Sequence, residues 1–317
     1  MKHIFLILLQ AVIFITAFSQ DTSSNVHDTT VIYKNQAFTL SDVVVRNNFN
    51  VPAFIELVKN DTTFYKAFRN LRVLSFSSYN NILLKDKKGN EKASLLSTTR
   101  QNYANDCRTM ETTEEKVSGD FYDKNHHYNY TTADMYASLF FTRGEVCGET
   151  NIVKGREFSV KGKSGTEKHK EQLKQLFFNP GTKIPGLPFI GNKVALFDED
   201  VSKLYDFKID KQEYYGQTCY IFTIKPRVNL SSGEKNDIVI DEMSTWFNAK
   251  SLEIIGRNYS LSYKAGVFDF DVSMEVQLEK IGELLVPKVL RYNGYWDVVF
   301  KKEERAAFTA TLFDFKR

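Results

Sequence analysis

The chain holds 317 residues, with 42 Lys plus Arg against 39 Asp plus Glu, 42% hydrophobic residues and an aromatic share of 14%. A formal net charge of +3 is too small for electrostatic capture of nucleic acid, and 16 Gly with 6 Pro exclude a collagen-like or wholly disordered chain. The length suffices for one large or two ordinary domains, each with a substantial core.

Residues 1–19 read as a secretory signal peptide. Lys2 and His3 open it, and 4–18 is apolar apart from Gln10 and Thr16. Such a run falls short of the roughly 20 residues that a bilayer-spanning helix needs and suits a signal core. Ala17 and Ser19 are the small residues that cleavage wants, which predicts a mature start at Gln20, or at Asp21 if cleavage follows Gln20. No Cys lies in or just after the segment, where a lipid-modified lipoprotein needs one. The expectation is a periplasmic or secreted bacterial protein with no transmembrane segment in its mature part.

Residues 20–36 are polar and predict a flexible leader, followed by a single α+β domain over 37–317. Its first part, 37–195, opens with helices. Thr39 or Ser41 caps one through Asn48, Pro52 sits where a first helical turn accepts it, and Asp61 caps a third carrying Phe64, Tyr65, Phe68 and Leu71 at helical spacing. Strands over 72–86 and 92–105 flank the turn-like Lys87-Lys88-Gly89-Asn90. A polar stretch at 109–130 follows, then a helix through Met135, Tyr136, Leu139 and Phe140. A loop over 144–165 leads to a helix over 167–178, which Asn179-Pro180-Gly181 stops.

The second part, 196–317, predicts an antiparallel meander with strands over 217–226, 237–247, 252–264, 267–280, 284–301 and 306–315. The fourth of these is the clearest. Phe268, Phe270, Val272, Met274, Val276 and Leu278 alternate with polar residues, which puts all six on one face of a strand and scatters them around a helix.

No catalytic signature is present: G-x-S-x-G, S-x-x-K and H-E-x-x-H are all absent. Gly186 to Lys193 has the glycine spacing of a phosphate loop, but Asn192 is inserted before the lysine and no Ser or Thr follows it, so it reads as a shaped surface loop. His126-His127 near Asp120 and Asp123 reads as a solvated turn. Asp269 and Asp271 share a strand face, but they continue a polar row that solvent explains. Cys107, Cys147 and Cys219 form no metal-binding cluster; in an oxidising compartment two of them pair. Cys219 sits in a strand-like run as a small hydrophobe, which leaves Cys107 and Cys147, both beside turn-like sequence, as the better disulfide. The expectation is no metal and no cofactor.

The segment Ser244-Thr-Trp-Phe-Asn-Ala-Lys-Ser-Leu-Glu-Ile-Ile-Gly-Arg257 resembles a hairpin of the periplasmic lipoprotein-carrier superfamily of the LolA/LolB type, in which an aromatic strand ends in an Asn-x-Lys-Ser turn and returns as an apolar strand. The resemblance covers at most 205–315. It implies a large, strongly curved antiparallel β-sheet of the open half-barrel type, with several helices packed on one side, that holds acyl chains. No functional residue of that family carries over by position.

Three readings follow. The first is a carrier binding an apolar ligand, a lipid or acyl chain or a lipoprotein, between curved sheet and helices; 26 Phe and 16 Tyr motivate it. The second is a structural or protein-interaction module of the cell envelope with a self-filled core. The third is a hydrolase with a non-local site. For the first, the candidate ligand-binding residues are Phe177, Phe178, Ile184, Leu187, Phe189 and Ile190, an apolar, non-periodic stretch of proline and glycine that either gates a cavity or packs into the core.

Overall fold

A computed structural model describes residues 28–46, 49–153, 172, 175–176, 179–184, 187 and 189–317, apart from 265–267 and 299–302. The signal segment therefore lies outside the described residues, as does all of the expected 167–178 helix except Gln172, Gln175 and Leu176.

The helices are placed by their caps. Asn50 accepts the backbone N–H of Ala53 at 3.1 Å to start α2 (Val51–Asn60), and Pro52 sits in its first turn. Asp61 accepts from the backbone of Thr63 at 3.0 Å at the head of α3 (Thr63–Asn70). Before them comes the short α1 (Asp42–Arg46), and later in the chain α4 (Thr131–Phe140).

Thirteen strands form one sheet: β1 (Thr29–Tyr33), β2 (Gln36–Leu40), β3 (Ser75–Lys85), β4 (Glu91–Ala104), β5 (Cys107–Gly119), β6 (Val146–Cys147), β7 (Tyr205–Tyr214), β8 (Gln217–Pro226), β9 (Ile240–Asn248), β10 (Ile254–Lys264), β11 (Phe268–Ile281), β12 (Leu284–Val298) and β13 (Glu304–Lys316). Their order is β1-β2-β7-β8-β9-β10-β11-β12-β13-β3-β4-β5-β6, and the sheet does not close. The meander β7 to β13 is consecutive, and β13 then pairs with β3, which makes the two halves of the chain one sheet.

Three expectations need correction. The sheet is mixed rather than antiparallel throughout, because β2 lies parallel to β7; the helices, β3 to β6 and the rest of the intervening chain form the crossover that a parallel pair requires. The expected leader over 20–36 contains β1 and the start of β2. Lys34 and Asn35, at φ 47° and 61°, make the two-residue turn between them that suits the twist of a hairpin. The polar stretch over 109–130 contains most of β5, joined to β4 by Asn105 and Asp106 at φ 53° and 60°. Alternation does not mark β5 because every residue from Glu111 to Gly119 is exposed.

One face of the sheet is apolar and meets the helices. On β11, Phe270, Val272, Met274, Val276 and Leu278 are all buried there. Phe54 of α2 packs edge-on against Phe247 of β9 at 5.0 Å and Phe222 of β8 at 6.1 Å. Tyr136 of α4 meets Phe308 of β13 at 4.6 Å, and Tyr292 of β12 stacks on Phe308 at 4.3 Å. Burial of each such ring contributes about 1.5–3 kcal/mol. The face also buries a cation: Arg257 lies 4.4 Å over the Phe64 ring, donates to Thr245 Oγ1 at 2.9 Å and faces Asp61 at 3.9 Å. Its desolvation lowers the guanidinium pKa, against which the Asp61 charge acts.

Candidate functional site

The sequence-derived site divides in two. Phe177 and Phe178 lie outside the described residues. Ile184, Leu187 and Ile190 are buried in the core. Their loop is drawn tight by the Ile184 N–H on the Gly191 carbonyl at 2.9 Å, and a Cβ at Gly191 would fall 2.2 Å from the Ile184 oxygen, so only glycine fits. Phe189 goes the other way: at φ 65° it is 61% exposed. The structure therefore separates Phe189 from the three residues grouped with it. Lys193, at the end of the phosphate-loop look-alike, is engaged by Asp237 at 3.1 Å and by the Tyr263 hydroxyl at 3.0 Å.

Neither histidine of the 126–127 pair meets a metal-binding partner set. His126 stacks on Tyr122 at 4.0 Å, and His127 Nδ1 lies 3.3 Å from Asp123. Cys107 and Cys147 are joined in a disulfide that ties β5 to β6. Glu145 lies within 4.8 Å of both sulfurs, but sulfurs bonded to each other offer no thiolate to an ion. Two residues beyond the bridge, Glu149 receives Arg108 at 2.5 Å and Arg72 at 2.9 Å. Cys219 is buried with its thiol donating to the Gln217 carbonyl at 3.2 Å, and burial raises its pKa, which removes it as a nucleophile.

An opening lined by described residues lies on the sheet's second, polar face. It is an open groove of about 1270 Å³ across β7 to β12. Strand register explains its floor. Lys208, Thr223, Ser244, Asn258, Glu275 and Arg291 stand side by side on six successive strands, so polar positions on each strand merge into a row. The next rung runs Lys225, Glu242, Ser260, Ser273 and Asn293.

Most charge in this groove is already paired, Asp206 with Arg227 at 3.4 Å included, while Asp210, which also lines it, accepts only the Lys211 backbone N–H at 2.7 Å among the described residues. Arg291 meets Glu275 at 2.7 Å, Lys225 meets Glu242 at 3.1 Å, and Lys208 meets Asp28 at 2.9 Å. What stays open to a ligand is chiefly the uncharged set of hydroxyl and amide groups between them, with the Asp210 carboxylate at the β7 side. At one end Tyr214 lies flat on Trp246, ring centroids 4.4 Å apart. Tyr214 reaches across to β10 only because position 256 is glycine; a Cβ there would sit 2.6 Å from the phenol oxygen. Burial raises the Tyr214 pKa, so the group stays a neutral donor. Trp246 Nε1, Tyr214 Oη and Asn258 Oδ1 are buried and have no hydrogen-bond partner in the protein. Buried polar groups left so are uncommon and mark a place where a partner is expected.

Sequence reasoning missed this groove. The signal was there in the Ser, Thr and Asn at polar positions of neighbouring strands, and in Tyr205, Phe207 and Ile209 alternating with polar residues on β7, but it becomes a surface only once register is known.

No protein-family model matches the chain, and no curated protein matches it. Among solved structures, one described as lipid–protein interactions in lipovitellin is 6% identical over 77% of this chain at a TM-score of 0.20. The match spans about a quarter of that protein's own chain (25%). A triple mutant and a double mutant of Rhodopseudomonas blastica porin are each 8% identical over 76% of this chain and 99% of theirs, at a TM-score of 0.14. Scores this low set no common fold. Among the described residues, no helix is long and apolar enough to cross a membrane.

Proposed function

We propose that this chain is an exported, non-enzymatic binding module of the bacterial cell envelope, whose apolar sheet face is filled by its own side chains and whose polar groove holds an uncharged, hydroxyl-rich ligand such as a saccharide chain. The carrying observation is the uncharged polar floor of the groove, Thr223, Ser244, Ser260, Ser273 and Asn293, with Trp246 Nε1 and Asn258 Oδ1 of its lining, and Tyr214 Oη stacked beside Trp246, buried without a partner in the protein. Two donors and an acceptor suit hydroxyl groups, which give and take a hydrogen bond alike. The ion pairs spanning the groove leave little for a charged ligand to gain. In this reading the sheet is a strongly curved open half-barrel with its helices on one side, an architecture the hairpin resemblance to lipoprotein carriers favours, with the ligand moved to the opposite face.

Neutral polysaccharide fragments from a bacterial envelope, titrated into the full chain, test it through tryptophan emission. Trp246 reports from the groove, and a Trp296→Phe variant silences the other indole. The expected result is a saturable change that Asn258→Leu abolishes. Failure of every neutral saccharide to perturb Trp246 sinks the reading.

A second reading, a carrier for a lipid or acyl chain, draws on the exposed Phe189 beside the core residue Ile190. Native mass spectrometry of protein purified from its host without detergent decides between them. A stoichiometric co-purifying lipid overturns the saccharide reading.

A further inference from the structure

The rim of the sheet at β5 offers a second surface, independent of the groove. β6 pairs with only the first two residues of β5, Cys107 with Cys147 and Arg108 with Val146. From 109 to 119 no other described strand lies on that side. In an antiparallel ladder alternate residues turn their N–H and C=O groups outward, so this length presents a row of backbone donors and acceptors. Edges this long are ordinarily blunted by charged side chains, a bulge, proline or a covering loop; β5 carries the first two, its bulge at Thr113 opposite Thr98 and Thr99. β5 contains no proline, and Glu111 to Gly119 are all exposed, with Val117 at 40%.

Charge says what fits there. Over 109–119, Glu111, Glu114 and Glu115 stand beside one cation, Lys116, and among the described residues none of the three forms an ion pair, although Arg100 is opposite Glu111 in register. Among the described residues, Glu114 accepts only the Thr98 hydroxyl at 3.4 Å, and Glu115 only the Tyr122 hydroxyl at 3.1 Å. A second copy of the chain fits poorly. Pairing β5 with itself about a two-fold axis at Glu114 or Glu115 sets a glutamate directly against its own counterpart, which is destabilising. A strand carrying lysine or arginine removes the repulsion and supplies the missing partners. β6 already shows that the edge takes a strand in antiparallel alignment.

We propose that the edge of β5 over 109–119 receives an extended basic strand of a partner protein, laid antiparallel in line with β6, with its basic side chains against Glu114 and Glu115. Main-chain pairing supplies the affinity and the two carboxylates the selectivity.

The probe is a capped ten-residue peptide of alternating threonine and valine with a central Lys-Lys pair, which sets one lysine on each face of the strand, with its Glu-Glu counterpart as control, added to the full chain. The basic peptide is expected to bind at least tenfold more tightly than the acidic one, with affinity falling as salt rises. Amide hydrogen exchange over 109–119 should slow at least tenfold on binding. Methylating the backbone nitrogens of the odd-numbered or of the even-numbered residues blocks one edge of the peptide, and at least one of the two products should lose binding. Glu114→Lys combined with Glu115→Lys should reverse the preference between the peptides; both positions are exposed, and an unchanged melting temperature verifies the fold. Equal affinity for the two peptides, or unaltered exchange over 109–119 in the unmodified chain at saturation, overturns the proposal.

Discussion

The hydroxyl of Tyr136 on α4 donates to Asn80 Oδ1 on β3 at 2.9 Å, in the middle of an otherwise aromatic packing layer. Asn80 is itself held by Ser78 Oγ at 3.1 Å and Thr99 Oγ1 at 3.3 Å, and those two hydroxyls share a hydrogen at 2.7 Å. The tyrosine ring meanwhile packs on Phe140, Phe141 and Phe308. One side chain thus anchors α4 to the sheet by shape and by a directional bond. Tyr136→Phe keeps the ring and deletes the bond, so it should cost about 1–3 kcal/mol in urea unfolding with an unchanged m-value. A loss below about 0.3 kcal/mol would mean that the hydroxyl contributes nothing to the docking of α4.

The two faces of β11 give a sharper test, because adjacent residues answer oppositely. Val272 is 1% exposed, while Ser273 faces solvent on the polar side. Val272→Asp buries an unpaired carboxylate and should cost more than about 4 kcal/mol, enough to unfold most of the population. Ser273→Asp should stay within about 0.5 kcal/mol. Comparable melting temperatures for the two variants would contradict the face assignment.

That assignment was open to reading from sequence because β11 is buried on one face only, so its side chains alternate for the whole strand. The β3–β4 hairpin and the helices α2 and α3 were legible for similar reasons: a turn ending at Asn90, Pro52 in the first turn of α2, Asp61 at the head of α3. β5 was not, since Glu111, Glu114 and Glu115 sit on an edge where neither face is buried and no period is imposed. Nor was the β13–β3 pairing, which depends on contacts between residues such as Phe308 and Ile82 more than two hundred positions apart. The groove was hidden for the same reason, being a property of register across strands rather than of any one of them.

Asp241 links stability to pH. Its carboxyl is half-buried on β9; desolvation raises its pKa above the usual range, the Asp271 charge adds to that, and the Ser262 hydroxyl bond at 2.9 Å opposes it. A carboxyl raised in the folded state holds its proton better there than in the unfolded chain. Its contribution is therefore fully present below the unfolded value, about pH 4, and is lost as pH rises through the folded pKa. Asp241→Asn keeps an acceptor for Ser262 without the charge. The variant should melt higher than the parent at pH 7 and equal to it at pH 3. A variant that melts lower at pH 7 would refute the assignment.

The Cys107–Cys147 bridge closes a loop of 40 residues. In the chain-entropy account, a loop of that size is worth about 4 kcal/mol through the unfolded state. Cys107→Ser with Cys147→Ser should lower stability by about 2–4 kcal/mol, while the Glu149 contacts to Arg72 and Arg108 continue to hold the β6 segment to β5. The parent treated with a reducing agent should match the double variant in the same unfolding assay. A double variant as stable as the oxidised parent would show that these contacts alone fix the segment.

The loop over 184–190 divides into two roles that single substitutions separate. Leu187 is 9% exposed and belongs to the core cluster with Ile184 and Ile190. Leu187→Ser removes a buried side chain and leaves a hydroxyl among apolar neighbours, so it should cost about 2–5 kcal/mol and lower the melting temperature by several degrees. Phe189 is 61% exposed at φ 65°, where it adds little to the core and its backbone is the costly part. Phe189→Ser should leave the melting temperature unchanged, and Phe189→Gly should raise it slightly, because glycine adopts that backbone without strain. If the lipid reading holds, Phe189→Ser alone should reduce co-purifying lipid at constant stability. If Phe189→Ser lowers the melting temperature as far as Leu187→Ser does, the ring is packed in solution, and its place on the surface is wrong.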